Sequence, residues 1–400
     1  MTISAKLALT VACLALPAMS AFAKSAEPDC TGDGWLERSD ADFAAACADM
    51  AFNGSLEDRE RLAWMFFARV NRLIADPADD GATTGGMSGS GKVPVWMAWP
   101  TDPDTFGTAQ PFEFQATPRS DLRPSVEKKD IEAGRVATAD PDGANEEVTR
   151  NKVSYDYLVE SGLTSKRGVV AYFAKHDYVD MPVGSVELKA SWLQVTEGSP
   201  VPDGALTFTF DSGEYWWRGL HIMVKMQPLP DPGDAFYTEE PSWFWTTFEF
   251  NDNPGVAQVR ESLITQRAPL AEDQIAAILE AGGLAGFGLE AYAPNGTQIR
   301  FTVDGTGETP VILGHTDMED FAGSPNTAQP RYWTRFEASC HSCHATAAYN
   351  PETKAYFPFS VPTGALDPGY NMTDKDGAVR YLGQGYKPLD FMWPIAFQAR

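Results

Sequence analysis

Val186-Glu187-Leu188-Lys189-Ala190-Ser191-Trp192 alternates apolar and polar side chains one by one. Successive side chains of a strand point to opposite faces, so this period of two marks a half-buried strand. Leu206-Thr207-Phe208-Thr209-Phe210 repeats the pattern. Leu220 to Met226 and Trp243 to Phe250 are rich in the aromatic and branched residues that suit a pleated surface, with Pro and Gly clusters between the runs. Gln298 to Val303 reads as one more strand. The centre of the chain is therefore expected to be an antiparallel sheet.

Working outward, the period changes. Asp40 to Ile74 reads helical, with Phe43, Ala46, Cys47 and Met50 at helical spacing. Asn53-Gly54 breaks the run, and a second helix from about Leu56 places Leu62, Met65, Phe66, Val70 and Ile74 on one face. Residues 77–92, rich in Gly, Ser, Asp and Thr, read as an exposed loop, and 116–150, charged and punctuated by Pro and Gly, as a second surface excursion. Ala271 to Leu279 is a short helix with Glu272 and Asp273 in its first turn. The expected fold class is α+β: a helical N-terminal part (24–150), a β-rich central antiparallel sheet (151–330) and an irregular C-terminal segment (331–400) packed on the rest.

Residues 1–23 read as a secretory signal peptide. Lys6 gives a positive start, Leu7 to Leu16 an apolar run, and Ala21-Phe22-Ala23 a small-x-small cleavage site. The run is shorter than the about 20 apolar residues a spanning helix needs, and no later stretch supplies a transmembrane segment. Export to the periplasm is the expectation. The net charge of −24 argues against nucleic acid as a partner, because phosphate binding needs clustered Lys and Arg.

Of five cysteines, Cys13 leaves with the signal. Cys30 and Cys47 are expected to pair as a disulfide in an oxidising compartment, worth roughly 3 kcal/mol on the chain-entropy view. The remaining two stand in Cys340-His341-Ser342-Cys343-His344. Cys-x-x-Cys-His is what covalent haem attachment requires: two thiols reach the two vinyl groups of one porphyrin, and the adjoining imidazole becomes the proximal iron ligand. At this abundance of Cys and His, chance supplies about 0.0008 such motifs per chain. A redox dithiol would want a βαβ context, and a zinc site would want further Cys or His ligands downstream, where there are none. One covalent haem c, held by Cys340, Cys343 and His344, is the expectation.

Only 56 residues follow His344, and Pro351, Pro358, Pro362 and Pro368 interrupt them. The tail alone cannot wrap a haem, so the sheet or the helical part must supply another wall. Met372, in Tyr370-Asn371-Met372-Thr373, is the candidate distal iron ligand, and Met392 reads as core. His221 and His315 are the distant candidates for ligation or catalysis, each with a purely structural alternative. His341 owes its place to the cysteines, and His176, between Lys175 and Asp177, reads as solvated. Trp216, Trp217, Trp243 and Trp245 read as sheet filling. Alternation puts Glu249 on the face opposite Phe248 and Phe250, either in water or buried near the cofactor, where it could move protons.

Four segments together carry a resemblance: Val186–Trp192, Gly219-Leu220-His221-Ile222, Trp243–Asn253 (Trp-Phe-Trp-Thr-Thr-Phe-Glu-Phe-Asn-Asp-Asn) and the haem motif, with Asp390-Phe391-Met392-Trp393 also fitting. They resemble a group of exported bacterial c-type haem proteins of uncharacterised function. The resemblance covers roughly the second half of the chain and implies an exported haem protein without naming a substrate. Where that group tends to have His, this chain has Phe250.

Two functional readings follow. The first is redox and electron transfer with a periplasmic partner protein through a six-coordinate haem. The second is a haem enzyme or small-ligand sensor with an open iron site and a small-molecule substrate, for which His221 and Glu249 are the candidate catalytic residues. A chain this long favours the second, and the absence of another cofactor motif favours the first. A third possibility is a subunit whose haem relays electrons inside a larger complex.

Overall fold

The structure is a computed structural model. It describes residues 29–75, 91–107, 112–114, 118–123, 144–198, 201–228, 242–253, 255–262, 267–299, 312–319, 323–325, 333–336, 338–344, 347–357 and 385–399. The signal segment and Met372 lie outside the described residues. Among the described residues, no helix is long and apolar enough to cross a membrane.

Helices α1 (Asp40–Ala46), α2 (Ala48–Phe52) and α3 (Leu56–Val70) open the chain. Ser39 caps α1, accepting from the Asp42 N–H. Ser55 and Asp58 form a reciprocal capping box on α3, which satisfies amides that the helix itself leaves bare. Cys30 and Cys47 are disulfide-bonded and fasten the N-terminal strand of chain to the end of α1. The second helix stops at Val70, four residues short of the sequence expectation, because Asn71 turns its side-chain amide back onto the Phe67 carbonyl (2.9 Å). Leu73 to Ala75 then pair as β1 (Leu73–Ala75) with β2 (Lys92–Pro94).

The central sheet is antiparallel and six-stranded, in the order β3-β4-β6-β7-β8, with β5 paired to β6. Its members are β3 (Ala144–Arg150), β4 (Val186–Gln194), β5 (Thr207–Phe210), β6 (Gly213–Lys225), β7 (Trp243–Phe250) and β8 (Tyr292–Gln298). Two outcomes differ from the sequence expectation. The end of the charged 116–150 stretch is a strand: Glu147 and Arg150 are buried, paired with Arg119 and with Asp102 and Glu187. The last strand of the sheet among the described residues is Tyr292–Gln298, which the sequence did not signal, and the expected strand from Gln298 to Val303 lies from residue 300 on outside the described residues. Pro294 has no amide to give to the ladder, and the register shifts between Thr246 and Phe248 to pass it.

The two faces of β7 have different neighbours, as a period of two demands. Phe244, Thr246, Phe248 and Phe250 share one face. Phe67 of α3 stacks on Phe248 (4.0 Å between centroids), Trp64 meets it edge-on, and Phe66 packs on Phe244. Burying each such ring contributes about 2–3 kcal/mol, so this seam binds the N-terminal helices to the sheet. The opposite face carries Trp243, Trp245, Thr247 and Glu249, and it receives the C-terminal segment. That segment is not wholly irregular. It includes a small sheet in the order β10-β9-β11, made of β9 (Ala348–Asn350), β10 (Ala355–Tyr356) and β11 (Lys387–Pro388), and ends in a helix, Trp393–Gln398. Met392 is fully buried, as read from the sequence.

Candidate functional site

Sheet register aligns Lys189, His221 and Thr247 in one row across β4, β6 and β7. His221 Nδ1 lies 2.7 Å from Thr247 Oγ1, and its Nε2 lies 2.9 Å from Glu319 Oε1. Burial pushes the Glu319 carboxyl up, but His221, with Lys189 adding to it, outweighs burial and holds it down at about 2. Glu319 is thus an anion at neutral pH, and the Nε2–H donates to it. Lys189 reaches Glu146 at 2.6 Å.

The Cys-x-x-Cys-His stretch forms a single helical turn, Cys340–His344, over this face. Its start is gripped from two sides. Leu313 and Ser339 pair as a parallel bridge, and the Cys340 N–H donates to the Leu313 carbonyl at 3.2 Å. Gln298, at the end of β8, accepts from the His341 N–H (2.9 Å) and donates to Ser339 Oγ (2.9 Å). Neither Cys340 nor Cys343 is in a disulfide, in contrast to the Cys30–Cys47 pair. Burial raises both thiols, that of Cys343 to about 12, so neither is ionised at neutral pH. The Cys340 thiol donates to the Leu313 carbonyl oxygen at 3.3 Å.

His344 is the most constrained donor. Its Nδ1 lies 2.8 Å from the Phe391 carbonyl oxygen; a carbonyl only accepts, so Nδ1 carries the proton and Nε2 the lone pair. Burial lowers its pKa to about 4, so the imidazole is neutral, the form that ligates a metal. Trp245 lies against the ring, 4.8 Å between centroids. The carbonyl is aimed by an unusual piece of backbone. Asp390 and Phe391 both have positive φ, 49° and 68°, which costs a non-glycine residue about 1–3 kcal/mol. Asp390 is held there by its carboxylate, which accepts from the Met181 N–H (2.7 Å), Lys225 Nζ (2.7 Å) and Trp243 Nε1 (2.9 Å).

The chain's remaining sequence candidates fall as follows. Glu249 does lie opposite Phe248 and Phe250, but in a fully buried polar cluster rather than in water. Asn295 Nδ2 (2.8 Å), the Thr316 N–H (3.2 Å), the Thr316 hydroxyl and Asn253 Nδ2 all donate to its carboxylate. Burial raises its pKa. His315 is buried beside it and adjoins His221 edge-on, 6.1 Å between centroids. His341 is buried against Phe391, and His176 is exposed. Sequence reading missed Lys189, Thr247, Glu319 and Asp390. The first two share a parity with Glu187 and Glu249 in alternating strands, which is the signal that could have found them. Comparison with protein-family models, with curated proteins and with solved structures gave no match.

Proposed function

We propose that this chain is a periplasmic c-type haem protein that holds one covalent haem and serves redox and electron transfer. Cys340 and Cys343 would hold the porphyrin as thioethers, each S–H adding across a vinyl group, and His344 would be the proximal ligand. The observation that carries this reading is the His344–Phe391 hydrogen bond, because it leaves Nε2 as a fixed, neutral donor beside two thiols that are in no disulfide. When bound, the haem supplies one-electron exchange at iron. The protein's own part is to orient the imidazole, exclude water with Trp245 and Phe391, and close the site over the sheet. The Cys30–Cys47 disulfide suits an oxidising compartment. The partner on this reading is a periplasmic redox protein, and Met372 remains the proposed distal ligand.

One observation favours a second reading, a haem enzyme or small-ligand sensor. Lys189, His221 and Thr247, with Glu319 behind them, form a row of proton-bearing groups coupled electrostatically to His344 and Cys343. Such a row can donate hydrogen bonds to a polar small molecule at an open iron. Optical spectra of the exported protein, oxidised and reduced, with and without carbon monoxide, decide between the two. A reduced spectrum unchanged by carbon monoxide supports the carrier. Rapid carbon monoxide binding supports the second reading and makes His221 the first residue to replace.

A further inference from the structure

The buried cluster around Glu249 brings three possible metal ligands together. Glu249, His315 and Asp317 each present one ligand atom, and these atoms lie within 4.8 Å of one another. His315 Nδ1 is 3.7 Å from Glu249 Oε1 and 3.6 Å from Asp317 Oδ2. The Asp317 N–H donates to that same Nδ1 at 3.2 Å, so its lone pair lies on the cluster side and this amide would give it up to a bound cation. Among the described residues, no Lys or Arg nitrogen lies within 4.0 Å of the Glu249 carboxylate, although the side chain is fully buried. Arg218 takes one oxygen of Asp317, and the other faces the cluster.

Two amides mark the same spot. Asn253 Nδ2, with two hydrogens, lies within reach of three oxygens, those of Glu249, Asp317 and Thr316. Asn253 Oδ1 accepts from Arg218 Nη2 at 3.5 Å, and a bound cation would draw that oxygen to the cluster in place of Nδ2. Asn295 donates to Glu249 through Nδ2, while its own Oδ1 is buried without a hydrogen-bond partner among the described residues. A buried polar atom left unpaired is costly.

We propose that Glu249, Asp317 and His315, with the side-chain oxygens of Asn253, Asn295 and Thr316, bind a divalent cation that prefers oxygen ligands. Carboxylate, amide and hydroxyl oxygens are the donors of Ca²⁺ and Mn²⁺, and the imidazole suits Mn²⁺. The cation would clamp residues 312–319 to β7 and β8. That segment also supplies the Leu313 carbonyl to Cys340 and Glu319 to His221, so the clamp would stiffen both walls of the neighbouring site. The proposal does not depend on haem attachment, and haem staining of the same samples keeps the two apart.

The test uses the full exported protein, stripped with EDTA and titrated calorimetrically with Ca²⁺ alone and Mn²⁺ alone, with melting temperature read in parallel. The expected result is one equivalent bound and a melting temperature that falls on stripping and returns on refilling. Glu249→Gln should weaken binding by more than about 100-fold, since loss of even an outer partner of a metal ligand costs 10–100-fold. Asp317→Asn, which keeps the shape facing Arg218, is the second variant should Glu249→Gln fail to fold. No heat and no change on stripping, or undiminished binding in the variants, would overturn the site and leave Glu249 as a hydrogen-bonded core acid.

Discussion

His344 donates from Nδ1 to the carbonyl oxygen of Phe391 at 2.8 Å, and Phe391 sits at φ 68° beside Asp390 at φ 49°. The strain of this left-handed pair is offset by the three bonds that Asp390 accepts from Met181, Lys225 and Trp243. Asp390→Ala removes all three and leaves a buried ammonium, that of Lys225, with only the exposed Asp180. The expected loss is about 3–5 kcal/mol in denaturant unfolding. Asp390→Asn, which keeps the shape, should lose less. An Ala variant as stable as wild type would show that the pair needs no anchor.

Gly219 is required by contact as well as by conformation. At φ 147° a Cβ would stand 2.2 Å from the Phe248 carbonyl oxygen and 2.8 Å from His315 Nε2. Both neighbours are buried, so neither has room to retreat. Gly219→Ala should therefore destabilise by at least about 2 kcal/mol. Thermal unfolding checks this, and a melting temperature within a degree or so of wild type would mean that β6 and His315 are not in this contact.

Glu319 gives a pH signature. Its folded pKa, about 2, lies below its ordinary value of 4.5, so the folded state favours the ionised form. The stability it contributes is complete above about pH 4.5 and is lost as pH falls towards 2, in total on the order of 3 kcal/mol. The stability gap between wild type and Glu319→Gln should therefore be widest near neutrality and shrink through that window. A gap that is flat or grows on acidification would contradict the His221–Glu319 pairing.

The sheet was legible because alternation is a local property: Val186–Trp192 and Trp243–Phe250 state their period in a few residues, and the structure has strands there. The strand ending at Arg150 was not, because its inward side chains are charged and are satisfied by partners far along the chain, Asp102 and Glu187. The haem motif and its three residues stand out by spacing alone. What aims His344 does not, since the determinant is a backbone carbonyl at Phe391, 47 residues away, and no side-chain pattern records a carbonyl. Glu249 was read on the correct face, yet its burial depends on residues 312–319, which carry no periodic signal.

Cys30 and Cys47 close a short loop that contains α1. Replacing both by Ala should lower stability by about 3 kcal/mol through the freed unfolded chain. Mass spectrometry after alkylation without reductant should find neither thiol modified in the wild type. If both are modified, the bridge is absent and the double variant should unfold like wild type.

Covalent attachment is the centre of the account, and one measurement reaches it without knowledge of substrate or partner: peroxidase-type haem staining of the exported protein on a denaturing gel. Wild type should stain at the mass of the chain and keep the pigment through acid-acetone extraction. Cys340→Ala/Cys343→Ala should carry no stain at equal protein load, whereas His344→Ala, with both thiols intact, should alter the optical spectrum. An unstained wild-type band from cells that mature c-type haem proteins, or a stain that persists in the double variant, would contradict the account.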